Sequence, residues 1–201
     1  MRLPHWETTR GIYFVTLRQA GSLPEKVLLE IRAIMRECAH QRDWGKWLAT
    51  QRRIFLAMEN ALDHPDTQGR ICQPDVAVIL REAIQERQRR GMWDVMEYVL
   101  MSNHVHILFK LSSGTLDSSV KDFKRYTSRR ILSVRTVTEA QPVRQSFWQR
   151  EWFDHWSRDQ SEDERTAEYI RLNPVKAGLV KDYRDWPWGS WNDPDLQQRR
   201  T

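Results

Sequence analysis

The 201-residue chain reads as an α+β protein. The reading is a ferredoxin-like βαββαβ core, a helical insertion after the first strand and a C-terminal helix. Three observations predict this. Short β-branched and aromatic runs alternate with longer stretches whose apolar residues recur at helical spacing. Two of the short runs, "WDVMEYVLM" and "NHVHILFK", meet at a tight Ser102–Asn103 turn and form a hairpin. The order of elements around that hairpin is the split βαβ arrangement. Many functions share that arrangement, so it assigns none.

The elements follow in order. "GIYFVTLR", Gly11 to Arg18, is the first strand, β-rich and opened by a glycine. The insertion, about 19–62, is helical, with Pro24 in its first turn and a break near Gly45. His64 to Asp75 is a loop. Asp75 then caps a helix whose stripe is Val76, Ile79, Leu80 and Ile84, ended by Gly91. After the hairpin, the run from Ser118 to Val134 is helical, with Val120, Phe123, Thr127, Ile131 and Val134 on one stripe. "QSFWQREWFDHW" reads as a strand or sheet edge. Ser161 caps an acidic-start helix that stops at Asn173–Pro174, because the residue before a proline disfavours the α conformation. The tail from Asp185 is irregular. Together these make one domain, with a C-terminal extension over about 157–201.

Composition narrows the class. A hydrophobic content of 40% supports a packed core, and 29% charged residues cover its surface. No run approaches the ~20 apolar residues of a membrane span, and the N-terminus carries no signal-like stretch. Cys38 and Cys72 lack metal or redox spacing and read as reduced thiols of a cytoplasmic protein. A net charge of +5 and ten tryptophans point toward an anionic partner with stackable bases.

Two residues carry the first chemical signal. His104 and His106 stand two apart in a strand, so both side chains point to one face while Val105, Ile107 and Phe109 take the other. Two imidazoles on a rigid strand form a divalent-metal site; a pair of hydrogen-bonded surface histidines is the plain alternative. Tyr126, on the following helix, falls beside the apolar stripe with Ser119, Asp122 and Arg130, among six Lys or Arg between Lys121 and Arg135. Cations around a phenol favour its phenolate and attract a phosphate. An ordinary boundary tyrosine on a basic helix is the alternative there.

"YVLMSNHVHILF", "FKRYTSRRI", "FWQREWFDHWSRD" and "YIRLNPVKAGLV", in that order and spacing, closely resemble the REP-associated tyrosine transposases, a branch of the HUH single-tyrosine transposases. The likeness runs from roughly Gly11 to Trp191. It implies a ferredoxin-like domain that cuts and joins single-stranded DNA bearing REP-like hairpins, using Mg²⁺ or Mn²⁺. It matches His104 and His106 to the metal-binding His-hydrophobic-His motif, and Tyr126 to the nucleophile. A tyrosine oxygen that attacks phosphorus becomes linked to the 5′ phosphate and releases a 3′ hydroxyl, with the divalent ion neutralising developing charge. The stored linkage lets a second strand be joined without ATP. The resemblance also implies a monomer.

Two departures stand out. Related insertion-sequence transposases complete the metal site with a glutamine four residues after the tyrosine. Here that position is Arg130, which cannot ligate a metal. A third ligand then comes from elsewhere in the chain or from water; His155, in "FDHW", is the candidate, and a structural histidine packed near Trp152 and Trp156 is the plain alternative. The second departure is Ser102, where many relatives have proline; a turn accepts either.

For the nucleic-acid surface, Lys121, Lys124, Arg125, Arg129 and Arg130 share the helix of Tyr126 and read as phosphate contacts. Trp148, Arg150, Trp152 and Trp156 alternate along the following segment. Arg150 and Trp152 are the ones assigned to DNA, since base stacking is worth ~1–3 kcal/mol per base; two of these tryptophans packed in the core is the plain alternative. "RLNPVKAGLV" reads as a structural helix-to-loop element. Two other functions fit the same residues: a metal phosphodiesterase using water, and a non-catalytic module that grips single strands.

Overall fold

The computed structural model describes residues 11–38, 44–64, 69–138 and 146–198. Its centre is a four-stranded antiparallel sheet of β1 (Ile12–Arg18), β2 (Trp93–Leu100), β3 (His104–Leu111) and β4 (Phe153–Ser157), in the order β2-β3-β1-β4. That order, with the helices between, is the expected ferredoxin-like core.

Alternation divides the strands between two apolar layers. Tyr13, Val15, Leu17, Val105, Ile107 and Phe109 face α3 (Pro74–Arg89) and α4 (Leu116–Thr138). Phe14, Val99, Leu108 and Phe153 face the other way, toward α1 (Glu25–Cys38), α2 (Trp44–Leu62) and α5 (Gln160–Lys176). Both faces are covered, so even the polar positions of the central strands are buried, and the residues that share the histidines' face lie under helices.

Several local expectations change. Gly45 sits in the first turn of α2 rather than between helices. Gln73 is the N-cap of α3 and Pro74 opens it, so Asp75 lies inside the first turn, where its charge suits the helix dipole. The segment before Phe153 is not strand: Trp148 makes only an isolated bridge to Gln19. Asp159, not Ser161, caps α5 by accepting from the Glu162 backbone N–H at 2.9 Å. The helix also runs through Pro174 to Lys176 before Gly178 turns the chain at φ +69°. Pro174 forfeits the bond its N–H would have made to the Ile170 carbonyl, and only Val175 and Lys176 follow it before the helix ends.

The tail is ordered. Two 3₁₀ turns (Tyr183–Asp185, Ser190–Asn192) and α6 (Pro194–Gln197) lie along the outer edge of β2. Trp188 O accepts from Leu100 N at 2.9 Å, Trp186 Nε1 donates to Leu100 O at 2.9 Å, and Tyr98 OH donates to Asp193 Oδ2 at 2.6 Å. These contacts cover an edge that would otherwise offer unpaired backbone groups.

Candidate metal and nucleophile site

The site is built outward from the turn before β3. Asn103 is fully buried, and its side-chain Nδ2 donates to Leu62 O at 2.9 Å. That bond fixes the amide, so Oδ1 faces His104 and accepts from its Nδ1 at 2.7 Å. His104 Nε2 is left with a lone pair. It points at His106 Nε2, 3.0 Å away. His106 is held in turn by Thr16, its register partner on β1, whose Oγ1 lies 2.9 Å from Nδ1, and by Phe14 stacked at 5.3 Å. Partners on the far ring nitrogens are what orient metal-ligating imidazoles.

The third wall comes from the insertion. Glu59 of α2 is buried, with Oε2 3.2 Å from His106 Nε2. Ligand atoms of Glu59, His104 and His106 all lie within 4.8 Å of one another. Burial alone would raise the Glu59 carboxyl, but the charge and hydrogen bond of His106, His104 beyond it and the Tyr169 hydroxyl hold it down at about 2. Burial, then the neighbouring His106, lowers His104 to about 3, so it stays neutral. Asp63, one turn after Glu59, is raised to about 6 by burial and by that neighbouring carboxylate. A neutral His104 imidazole beside the ionised Glu59 and a second acidic group, Asp63, suits a divalent cation.

Tyr169 of α5 closes the site. Its hydroxyl donates to Glu59 Oε2, and its ring lies 5.5 Å from that of His106. Burial and the Glu59 carboxylate push the phenol well above its ordinary range, so it carries its proton. Lys176 Nζ stands 4.5 Å from the Tyr169 ring centre. One turn on from Tyr169, the fully buried Asn173 has neither amide atom in a hydrogen bond of good geometry. Glu59 Oε1 is likewise buried without a partner. Buried orphans of this kind are costly unless something else binds them. Two imidazole nitrogens and a carboxylate oxygen around one point, with the Asn173 carboxamide neighbouring His104 and Tyr169, fit a hard or borderline divalent ion.

The structure separates the residues singled out in the sequence. His104 and His106 are brought together. Tyr126 is on α4, in the layer against the opposite sheet face from the histidines. It is 40% exposed, with the guanidiniums of Arg87 and Arg130 at 5.8 and 5.9 Å from its ring centre. The sheet itself stands between Tyr126 and the histidine pair, so the structure does not bring it to the site. His155 shares the histidines' face, opposite Phe14, but its Nε2 pairs with Glu162 at 2.9 Å and lies outside the ligand cluster.

On the α4 side, Lys121, Lys124, Arg125, Arg129 and Arg150 line a cleft of about 540 Å³ together with Trp148 and Trp152. Both indoles are core, 2% and 3% exposed. Trp152 shows Lys124 a face, with Nζ 4.9 Å from the ring centre. Lys124 Nζ also donates to the carbonyls of Gln149 and Arg150 at 2.7 Å, and burial lowers it to about 8. Arg130 lies apart, paired with Glu82 at 2.8 Å.

Sequence reasoning missed Glu59, Tyr169, Asn173 and the buried Arg18, which pairs with His104 in register and whose Nε has no partner. A signal for two of them was present. A carboxamide four residues after a tyrosine is found at Tyr169–Asn173, not at Tyr126–Arg130.

Fold and site define a ferredoxin-like domain with a paired-histidine metal-type cluster facing a tyrosine. The family model described as "Transposase IS200 like" matches residues 65–173, just over half of the chain. The chain belongs to that family. Among relatives, the REP-associated tyrosine transposase of Escherichia coli strain K12 is 27% identical over 114 residues, 57% of this chain and 64% of that protein. The chain thus spans just under two thirds of that relative's length. The solved structure of a REP-associated tyrosine transposase bound to a REP hairpin superposes with a TM-score of 0.57 at 16% identity. It covers 95% of this chain and 82% of the other, and at that identity the likeness is one of fold.

Proposed function

We propose that the chain is a metal-dependent endonuclease and strand transferase for single-stranded DNA, acting at REP-like hairpins through a covalent 5′-phosphotyrosine, with Tyr169 as nucleophile. The observation that carries this is the Tyr169 hydroxyl resting on Glu59 beside the His104–His106 pair. Membership of the transposase family and the hairpin bound by the structural neighbour support the substrate class.

His104, His106, Glu59 and Asn173 would hold a Mg²⁺ or Mn²⁺ ion. Such an ion, when bound, polarises the phosphodiester and offsets charge in the transition state. The protein residues do the rest. His106 Nε2 is freed for ligation when its proton moves to Nδ1, because the Thr16 hydroxyl can either donate or accept there. Tyr169 Oη attacks phosphorus and loses its proton to solvent, while Glu59 Oε2, which accepts the hydroxyl as a hydrogen bond, holds the oxygen in place. The bond from phosphorus to the 3′ oxygen breaks; that oxygen takes a proton and leaves as a 3′ hydroxyl. The 5′ phosphate remains on Tyr169. A second 3′ hydroxyl can then attack the phosphotyrosine, rejoining DNA and restoring the phenol. Arg18 and Lys176 supply positive charge at the edges of the site.

A labelled REP hairpin with single-stranded flanks, incubated with Mn²⁺ and run on a denaturing gel, should give a protein-sized labelled band. Tyr169→Phe removes the band and Tyr126→Phe leaves it. Cleavage that survives Tyr169→Phe would mean that water is the nucleophile. Loss of the band in Tyr126→Phe alone would return the role to that residue.

A further inference from the structure

Beside Tyr169 lies a cleft of about 400 Å³ that the chemistry above does not use. Its floor is aromatic. Phe55 of α2 packs at 4.9 Å from Phe153 and 5.7 Å from both Phe14 and Tyr169, measured between ring centres. Phe14 and Phe153 are buried, while Phe55 and Tyr169 keep part of their faces open. Its rim is cationic: Arg52, Arg158 and Arg165 line the cleft and are exposed. The one carboxylate in the lining, Glu162, is engaged by His155 at 2.9 Å and by Arg158 through its backbone N–H at 3.0 Å and its guanidinium at 3.5 Å, so Arg52 and Arg165 carry most of the rim's net charge.

We infer that this cleft is the subsite for one unpaired base next to the scissile phosphate, stacked against Phe55, with its flanking phosphates on the three arginines. The inference rests on the reading of Tyr169 as nucleophile. Three features of the cleft favour a base over another occupant. An open aromatic face suits any base, since each has a π surface. A rim carrying three guanidiniums around an apolar floor fits an apolar ring tethered to anions, not an apolar side chain or a lipid tail. And Tyr169 lines both the cleft and the metal-type site, so a strand whose phosphate reaches the hydroxyl brings its adjoining base to Phe55. The helical insertion therefore supplies both Glu59 for the chemistry and Phe55 and Arg52 for the strand.

The test compares binding of two fluorescein-labelled single strands of equal length, one of mixed sequence and one abasic throughout, in chelator so that nothing is cut. Phe55→Leu keeps an apolar filler and removes the ring. The preference of wild type for the base-bearing strand should fall about fivefold or more in this variant. A preference equal to that of wild type, in protein with an unchanged melting curve, overturns the subsite. Arg165→Gln should weaken both strands alike and flatten the dependence of log K on log salt by about 0.7; an unchanged slope overturns the phosphate rim. The gel for the covalent adduct is read separately on the same proteins. Loss of base preference in Phe55→Leu without any adduct in wild type would keep the subsite and discard the nucleophile. An adduct in wild type with no change in preference would do the reverse.

Discussion

His104 takes its orientation from its sequence neighbour. The Asn103 amide is pinned by a main-chain carbonyl of α2, and that pin decides which imidazole nitrogen faces the site. The consequence is measurable in the metal-free protein. His104 titrates near 3 when folded and near its ordinary 6.5 when unfolded, so the unfolded chain binds more protons between those values. Stability is therefore full above pH 6.5 and declines as pH falls toward 3, by up to about 1.4 kcal/mol per unit. Asp63, raised to about 6, takes up a proton in the same window and opposes this loss in both proteins, so urea unfolding at pH 7.5 and 5 should show wild type losing about 2 kcal/mol relative to His104→Gln; parallel changes in the two proteins would contradict it. Glu59, depressed to about 2, gives stability that is full above the ordinary carboxylate range and is lost only as pH falls from there toward 2, outside this window. Its proposed part is in metal binding. Glu59→Gln should weaken Mn²⁺ about tenfold or more by calorimetry, whereas Tyr169→Phe leaves the ion's affinity nearly intact.

At the scale of elements, the turn that carries Asn103 is clamped from outside. A Cβ at Gly69 would stand 2.3 Å from Ser102 O and 2.5 Å from Asn103 Cα, and Ile71 N donates to Ser102 O at 2.8 Å. The chain after α2 thus presses on the hairpin turn at a position only glycine can occupy. Gly69→Ala should cost about 1–3 kcal/mol and lower Mn²⁺ affinity, because the displaced turn is the one that aims His104. A stable variant with wild-type Mn²⁺ binding would show that the turn yields without moving the histidine. The same scale explains the two tyrosines. α4 and α5 both present a tyrosine beside a polar face, and α4 is the more basic. Basic surroundings speak to affinity for DNA, while the proposal of Tyr169 as nucleophile rests on which helix covers the histidine face, and that helix is α5.

Across the whole molecule, the insertion and the tail each complete something the core lacks. The insertion roofs the histidine face and brings Glu59 into it. The tail closes the β2 edge and is anchored by charge: Arg171 of α5 donates to Glu97 Oε2 at 2.9 and 2.7 Å, and Ser190 Oγ donates to Glu97 Oε1. Glu97 is fully buried, so Arg171→Met, which removes its guanidinium, should destabilise the protein by about 3 kcal/mol. A melting temperature equal to that of wild type would show that the remaining partners suffice. Among the described residues, no helix is long and apolar enough to cross a membrane.

The sequence by itself determined the core order, the hairpin, the shared face of His104 and His106 and the family likeness, because these rest on periods of 2 and 3.6 and on contiguous motifs. It left the third and fourth site residues open. Glu59 lies more than forty positions before the histidines and Tyr169 more than sixty after, and nothing local to either marks which sheet face its helix will cover. Which tryptophans are core was likewise left open, and the packing of α4 decides it for Trp148 and Trp152. Only the tertiary structure decided these points. A catalytic role depends on which side of the sheet a side chain reaches, and that is set by crossover connections and layer packing that no single helix records.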